Sequence, residues 1–316
     1  MGTKMKKITV LIPCHNEEGC LPALYEALGR VAEVNAAYRW EWLFVDDGST
    51  DQTLACLQEM ARKDPRVCYV SLSRNFGKEK AMLAGFDYAR GDAVVIMDAD
   101  LQDPPDLISE MVHWWESGYD DVYARRTARE GQGWLRRKMS TAFYRLLQSS
   151  TQMDVLQNVG DFRLIDRKCV EALRRFREQE RYTKGMFAWI GFRKKELTYT
   201  HGVRRVGTSS WGFWSLLSLA INGLTSFTVV PLRFSTLMGL FVSLFALIRM
   251  VWVFVKALIW GDPVAGYPSL MVVILFLGGV QLLSLGIIGE YLGRVFNETK
   301  NRPVYIVNET NMEHEA

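Results

Sequence analysis

The pair Asp98-Ala99-Asp100 is the first place where this chain of 316 residues carries side chains suited to chemistry. It follows the apolar run Ala93–Met97, which reads as a buried strand. Two carboxylates at i and i+2 cannot both point into a sheet's core, but just past a strand end they can flank one hard cation. Mg2+ or Mn2+ takes oxygen ligands and commonly keeps substrate phosphates in its shell. The chemistry implied is neutralisation of the charge that builds on a diphosphate leaving group. Gln102 can add a neutral oxygen. Chance readily produces a lone D-x-D, so the weight of this one comes from the strand before it.

Other polar groups fall at comparable places. Asp46-Asp47-Gly48-Ser49 ends a second apolar run. It reads as a turn running into a helix cap made by Ser49, Thr50 and Asp51, or as a carboxylate free for a base or ribose, and both can hold together. Asp161 in Gly160-Asp161-Phe162-Arg163-Leu164 is anonymous by composition, and a surface ion pair with Arg163 is its plain reading. Arg125, Arg136, Arg137, Arg204 and Arg205 are ordinary singly. As a set, their guanidinium forks suit phosphate oxygens.

The elements that must position these groups alternate along the chain. Strands are expected at Ile8–Pro13, Trp40–Val45, Val67–Leu72 and Ala93–Met97. Helices are expected at Leu21–Val34, Thr53–Lys63, Lys80–Ala89 and about Pro105 to Ser117. This is an α/β pattern: a mostly parallel sheet with helices on both faces. Ligands in such sheets bind beyond the carboxyl ends of the strands. Pro13 to Glu17, Asp46 to Ser49, Ser73 to Lys78 and Asp98 to Asp100 would converge on one rim there. Residues 125–205 read as helices and short strands with no sharper assignment.

After Trp211 the composition changes. In residues 211–232, Ser215, Ser218, Asn222 and Thr225 recur at spacings of three and four among Trp and Leu. That pattern fits a core helix or, beside the long apolar runs that begin at Ser235, an interfacial one. Those runs make two spans of bilayer length, about 235–259 and 269–289. The first carries Arg249, costly in lipid and expected to face protein or to snorkel. Arg233 precedes the pair, Arg294, Lys300 and Arg302 come after it, and the loop between holds only Asp262. Positive flanks belong in the cytoplasm, which puts both the alternating α/β domain (1–210) and a tail (294–316) on that side of a hairpin spanning 233–293.

Composition excludes little else. Net charge is +3, with no dense basic tract of the kind that binds nucleic acid. The five cysteines form no C-x-x-C pair and read as reduced thiols. The short run Ile8–Pro13 does not make a signal core, so the N-terminal region is expected in the cytoplasm. No dinucleotide fingerprint, P-loop or zinc spacing occurs.

Taken together, Val10-Leu11-Ile12-Pro13 with Asn16-Glu17, Val45 to Asp51, and Asp98 to Pro104 resemble the inverting glycosyltransferases of family two, which have the GT-A fold. Arg74 to Lys78 and Gly160 to Leu164 narrow the resemblance to polyprenyl-phosphate glycosyltransferases. The tail Gly286 to Arg294 with Asn301-Arg302-Pro303 is similar to the bactoprenol glucosyltransferases of O-antigen modification. The resemblance implies roles for the matching positions. Asp98, Asp100 and Gln102 hold a metal (Mg2+ or Mn2+) and the diphosphate. Pro13, Glu17, Asp47 and Lys78 line the nucleotide pocket. Asp161 is the proposed base, with Asp100 beside it in catalysis, and Arg125, Arg137 and Arg204 bind phosphates. It also implies a nucleotide-sugar donor (a UDP-sugar, glucose first, aminoarabinose-type or GDP-mannose behind), a polyprenyl phosphate acceptor, a place in the bacterial inner membrane, and a homo-oligomer, a tetramer in relatives. In one departure, Ser210 stands where the family often has lysine in R-x-x-G-x-S-K. Two rivals remain in view. A processive synthase would carry Q-x-x-R-W, which Gln179 to Tyr182 fails to match. A non-catalytic lipid-binding scaffold would explain the hairpin but not the polar rim.

Overall fold

A computed structural model describes residues 5–126, 159–199, 230–260 and 267–312. Arg136, Arg137, Arg204, Arg205, Ser210 and the interfacial helix expected from 211, up to residue 229, lie outside the described residues. The chain divides into two compact units, Met1–Leu216 with Pro303–Ala316, and Leu217–Arg302.

Among the described residues the first unit is built on an eight-stranded sheet. Its strands are β1 (Lys7–Cys14), β2 (Arg39–Asp46), β3 (Val67–Leu72), β4 (Ala93–Ile96), β5 (Asp121–Arg126), β6 (Val159–Asp166), β7 (Lys194–Tyr199) and β8 (Val307–Thr310), in the order β7-β5-β6-β4-β1-β2-β3-β8. The four strands expected from periodicity form the parallel centre β4-β1-β2-β3. Their runs of Ile, Val and Leu are buried on both faces, as central parallel strands require. The sheet is more mixed than the mostly parallel one expected. β6 runs antiparallel to both β4 and β5, and β8 runs antiparallel to β3.

Side-chain alternation sorts the helices. Ile8, Val10 and Ile12 of β1 join a core with Leu24 and Leu28 of α1 (Leu21–Val34), Leu57 of α2 (Thr53–Lys63), and Ile108 and Met111 of α4 (Leu107–Glu116). Leu11 points the other way, toward α3 (Lys78–Tyr88). A Cβ on Gly85 of α3 would lie 2.0 Å from Leu11 Cδ1, so the Leu11 side chain keeps its present place against α3 because residue 85 is glycine. α5 (Arg167–Arg174) packs beside α3, and the short α6 (Thr183–Trp189) comes next in the chain.

The C-terminal tail is not a free appendage. β8 covers the β3 edge, and the Ser73 amide donates to the Ile306 carbonyl at 2.9 Å. Asn311 accepts from the Tyr69 amide at 2.8 Å, and the Tyr305 hydroxyl donates to Asp87 on α3 at 2.6 Å. Ending the chain after Arg302 would leave β3 an open edge. The expected result is a melting temperature lower by several degrees, read by thermal unfolding of the purified chain in detergent.

The described residues of the second unit form two helices in contact, α7 (Val230–Trp260) and α8 (Tyr267–Thr299). Both overrun the expected spans: α7 starts before residue 233, and α8 continues through Arg294. Leu240, Phe241 and Leu244 on α7, and Leu282, Leu285 and Leu292 on α8, are exposed. Among the described residues one segment, Phe276–Thr299, is long and apolar enough to cross a membrane.

Candidate active site

The carboxyl ends of β1 to β4 meet as expected, and local hydrogen bonds show how. Asn16 adopts a left-handed backbone (φ 56°). Its amide donates to Ser49 Oγ at 2.9 Å and its side-chain oxygen accepts from the Thr50 amide at 2.8 Å, stitching the β1 loop to the β2 loop. His15 adds a bridge: its Nδ1 lies 3.0 Å from the Asp47 carbonyl oxygen and its Nε2 lies 3.0 Å from Asn75 Nδ2. Asp46 accepts from the Ser49 amide and the Ser71 hydroxyl, so it serves the turn.

Asp47 also serves the fold. Its two oxygens accept from the backbone amides of Phe76 (2.7 Å) and Gly77 (2.8 Å). Burial raises its pKa, and those two amides counter the rise. It therefore holds the 73–78 loop over the cleft. Gly48 makes room for that loop, with φ of 64° and a notional Cβ 2.3 Å from the Arg74 carbonyl carbon.

The cleft so formed measures about 320 Å3 and is lined by Pro13, Glu17, Asp47, Lys78, Asp98 and Asp100, with His15 and Asn75 beside them. Asp100 accepts from both the backbone and the side-chain amide of Gln102. Gln102 thus orients Asp100 through its nitrogens. Leu101 between them has φ of 55°, a strained value for a branched side chain, of the kind that clusters at functional sites. Asp103 is buried and accepts from the Tyr199 hydroxyl, which ties this loop to β7.

Asp161 comes to the same place from β6. Lys78 Nζ lies 2.6 Å from Asp98 Oδ1 and 2.7 Å from Asp161 Oδ2. Burial would lower the Lys78 pKa, but the two carboxylates outweigh it and hold it above the ordinary lysine value. The carboxylates part in response. Burial raises Asp98, with Lys78 only partly offsetting it. Asp161 is held below the usual carboxylate range because Lys78, Lys184 and Arg163 outweigh its burial. Asp161 Oδ1 is buried without a hydrogen-bond partner among the described residues. Arg163, two residues on in the motif, pairs with buried Asp121 rather than with Asp161. Arg125 pairs with Glu196 at 3.3 Å and is not among the residues lining the cleft.

Sequence reasoning missed the lysine bridge, the His15–Asn75 contact and the grip of Thr183 on Glu79, the residue after Lys78. The cleft suits a divalent cation that arrives with its phosphates. Its carboxylates would repel a bare diphosphate. Among the described residues no group of three or more His, Cys, Asp or Glu forms a ready cage. One or two carboxylates with substrate oxygens and water are the usual set for Mg2+.

A parallel rim carrying Asp-x-Asp, with an antiparallel strand bringing a third aspartate beside it, defines a GT-A type glycosyltransferase. The chain belongs to glycosyl transferase family 2, whose profile matches residues 9–174; a second profile, the GtrB C-terminal hairpin, matches residues 230–295. An uncharacterised glycosyltransferase of Synechocystis is 44% identical over 96% of this chain and 95% of its own. The bactoprenol glucosyl transferase of Shigella phage SfV is 42% identical over 95% of this chain and 98% of its own. A prophage-derived bactoprenol glucosyl transferase of Shigella flexneri is 41% identical over 96% and 98%. Among solved structures, the mannosyltransferase PcManGT of Pyrobaculum calidifontis, determined with GDP-Man and Mn2+, is 17% identical over 92% of this chain and 88% of that one, with a TM-score of 0.44.

Proposed function

We propose that this glycosyltransferase moves a sugar, glucose first, from a UDP-sugar to undecaprenyl phosphate at the cytoplasmic face of a bacterial inner membrane, inverting the anomeric configuration. The observation that carries this reading is the 41–42% identity, over nearly the full length, to bactoprenol glucosyl transferases, hairpin included. The lipid acceptor explains that hairpin. A polyprenyl chain does not leave the bilayer, so the enzyme must work where the phosphate emerges. In this reading α7 and α8 are two membrane spans, with the sheet and β8 on the cytoplasmic side. The enzyme assembles as a homo-oligomer.

Asp98 and Asp100, with Gln102 steering Asp100, would hold Mg2+ or Mn2+, which supplies positive charge to the departing diphosphate. Pro13 and Glu17 line the nucleotide side of the cleft, and Asp47 holds its wall. Lys78 offers its ammonium to phosphate oxygens. Arg125, Arg137 and Arg204 are assigned to donor or acceptor phosphates. The attacking phosphate oxygen needs little help from a base, because a phosphate monoester with a second pKa of about 6 is largely dianionic at neutral pH. Asp161, held low, is a weak base and a firm anion. Its work here is to orient Lys78 and the acceptor.

The test is transfer of label from UDP-glucose to undecaprenyl phosphate in detergent, with Mg2+ or Mn2+ and with EDTA. Metal-dependent label in the lipid fraction is expected. Label only from another nucleotide-sugar changes the donor. Silence across a donor panel sinks the reading.

A further inference from the structure

The register of β4 and β6 carries a consequence for the metal. Ala93 opposes Asp166, Val94 opposes Ile165, Val95 opposes Leu164 and Ile96 opposes Arg163. Continued by two residues, that register sets Asp98 opposite Asp161. Like charges directly across an antiparallel pair are destabilising. The chain answers with Lys78, whose ammonium sits within hydrogen-bonding distance of both. The ammonium thus takes the role between these carboxylates that a metal would otherwise take at Asp98.

We propose that Lys78 is a resident counter-cation: in the donor-free enzyme it satisfies Asp98 and Asp161 and keeps free divalent ions off Asp98, and it turns to the diphosphate when the donor enters. The inference rests on the donor-pocket reading of the cleft. Three observations support it. An ammonium 2.6 Å from Asp98 Oδ1 repels a second cation at that oxygen. The Lys78 side chain is 41% exposed and lines the cleft, so its amine has room to reorient toward an anion there. Its backbone is held independently, through the Gly77 amide on Asp47 and through the Glu79 carboxylate, which takes both the amide and the hydroxyl of Thr183. The side chain can therefore swing without moving α3. Metal and nucleoside diphosphate should then bind as a coupled pair, and coupling of this kind is reciprocal.

The experiment is a Mn2+ titration read by electron paramagnetic resonance on the full chain in detergent, with and without UDP. Without UDP, Lys78→Met is expected to bind one Mn2+ about tenfold or more tighter than the unaltered enzyme. Adding Asp98→Asn to that variant should abolish the gain. With UDP the order should reverse, because the variant has lost its phosphate contact. Equal or weaker Mn2+ binding by Lys78→Met without UDP overturns the proposal. If Lys78→Met does not fold, the unaltered enzyme and Lys78→Arg carry the test. UDP must raise Mn2+ affinity in the unaltered enzyme, and Lys78→Arg must stay as weak as it without UDP; failure of either overturns the proposal. Mn2+ binding that is equal with and without the lysine charge sinks only this inference. Mn2+ binding to none of the proteins, even with UDP, sinks the metal reading of the site as well.

Discussion

Replacing Asp161 with asparagine is expected to lower turnover by on the order of a hundredfold or more, with donor binding largely retained. The substitution keeps the shape but removes the charge that holds Lys78 at 2.7 Å. It also leaves Lys78 committed to Asp98 alone. The pH profile separates the two roles open to Asp161. If Asp161 were the proton acceptor, its limb would lie below the ordinary carboxylate pKa, since Lys78, Lys184 and Arg163 together hold it there against its burial. If it positions, the rate falls as pH drops through about 6, where the acceptor phosphate gains its proton, and the same limb persists in Asp161→Asn. The expected result is the second. A variant with near-normal turnover would remove Asp161 from the mechanism altogether.

The second large effect is on folding. Gly48→Ala is expected to cost more than about 4 kcal/mol, enough to abolish donor binding and in many preparations the fold itself. Two terms add. A φ of 64° is unfavourable for any residue with a Cβ, by about 1–2 kcal/mol. The added carbon would also stand 2.3 Å from the Arg74 carbonyl carbon and 2.6 Å from the Asn75 nitrogen. Both are backbone atoms, so relief means moving the 73–78 loop off Asp47. Gly29→Ala is the internal control. Nothing lies within 4 Å of its notional Cβ, and it sits inside α1. It should raise stability by about 0.4–1 kcal/mol. Thermal unfolding of both variants beside the unaltered chain checks the contrast.

The central strands were legible because parallel strands covered on both faces are written as unbroken runs such as Val10-Leu11-Ile12 and Val94-Val95-Ile96. The helices between them came from period alone, with α1 and α2 falling on the expected residues. The rim was legible for the same reason: polar residues at strand ends have one place to go. β8 was not legible. Val307-Asn308-Glu309-Thr310 has no apolar alternation, and it is a strand because the β3 edge offers it partners far away in the chain. The lysine bridge was equally hidden. Lys78, Asp98 and Asp161 could each be picked out by type, but their meeting depends on β6 entering antiparallel beside β4, and periodicity does not encode strand direction. Asp47 could be read as fold or as ligand. The two amides on its oxygens assign it to the fold, in a position that still shapes the cleft.

The covered edge of β3 also sets an order of events during synthesis. The ribosome makes β1 to β7 first, then the hairpin, and only then β8. Roughly a hundred residues separate the end of β7 from the start of β8, which at about 5–20 residues per second is ~5–20 s of translation. Through that interval β3 is an unpaired edge in a crowded cell, able to recruit a strand from a neighbouring nascent chain. The catalytic sheet is finished only after both long apolar helices have been made, so a chain stalled before its last strand has the aspartate-bearing rim but not the strand that closes the wall beside it.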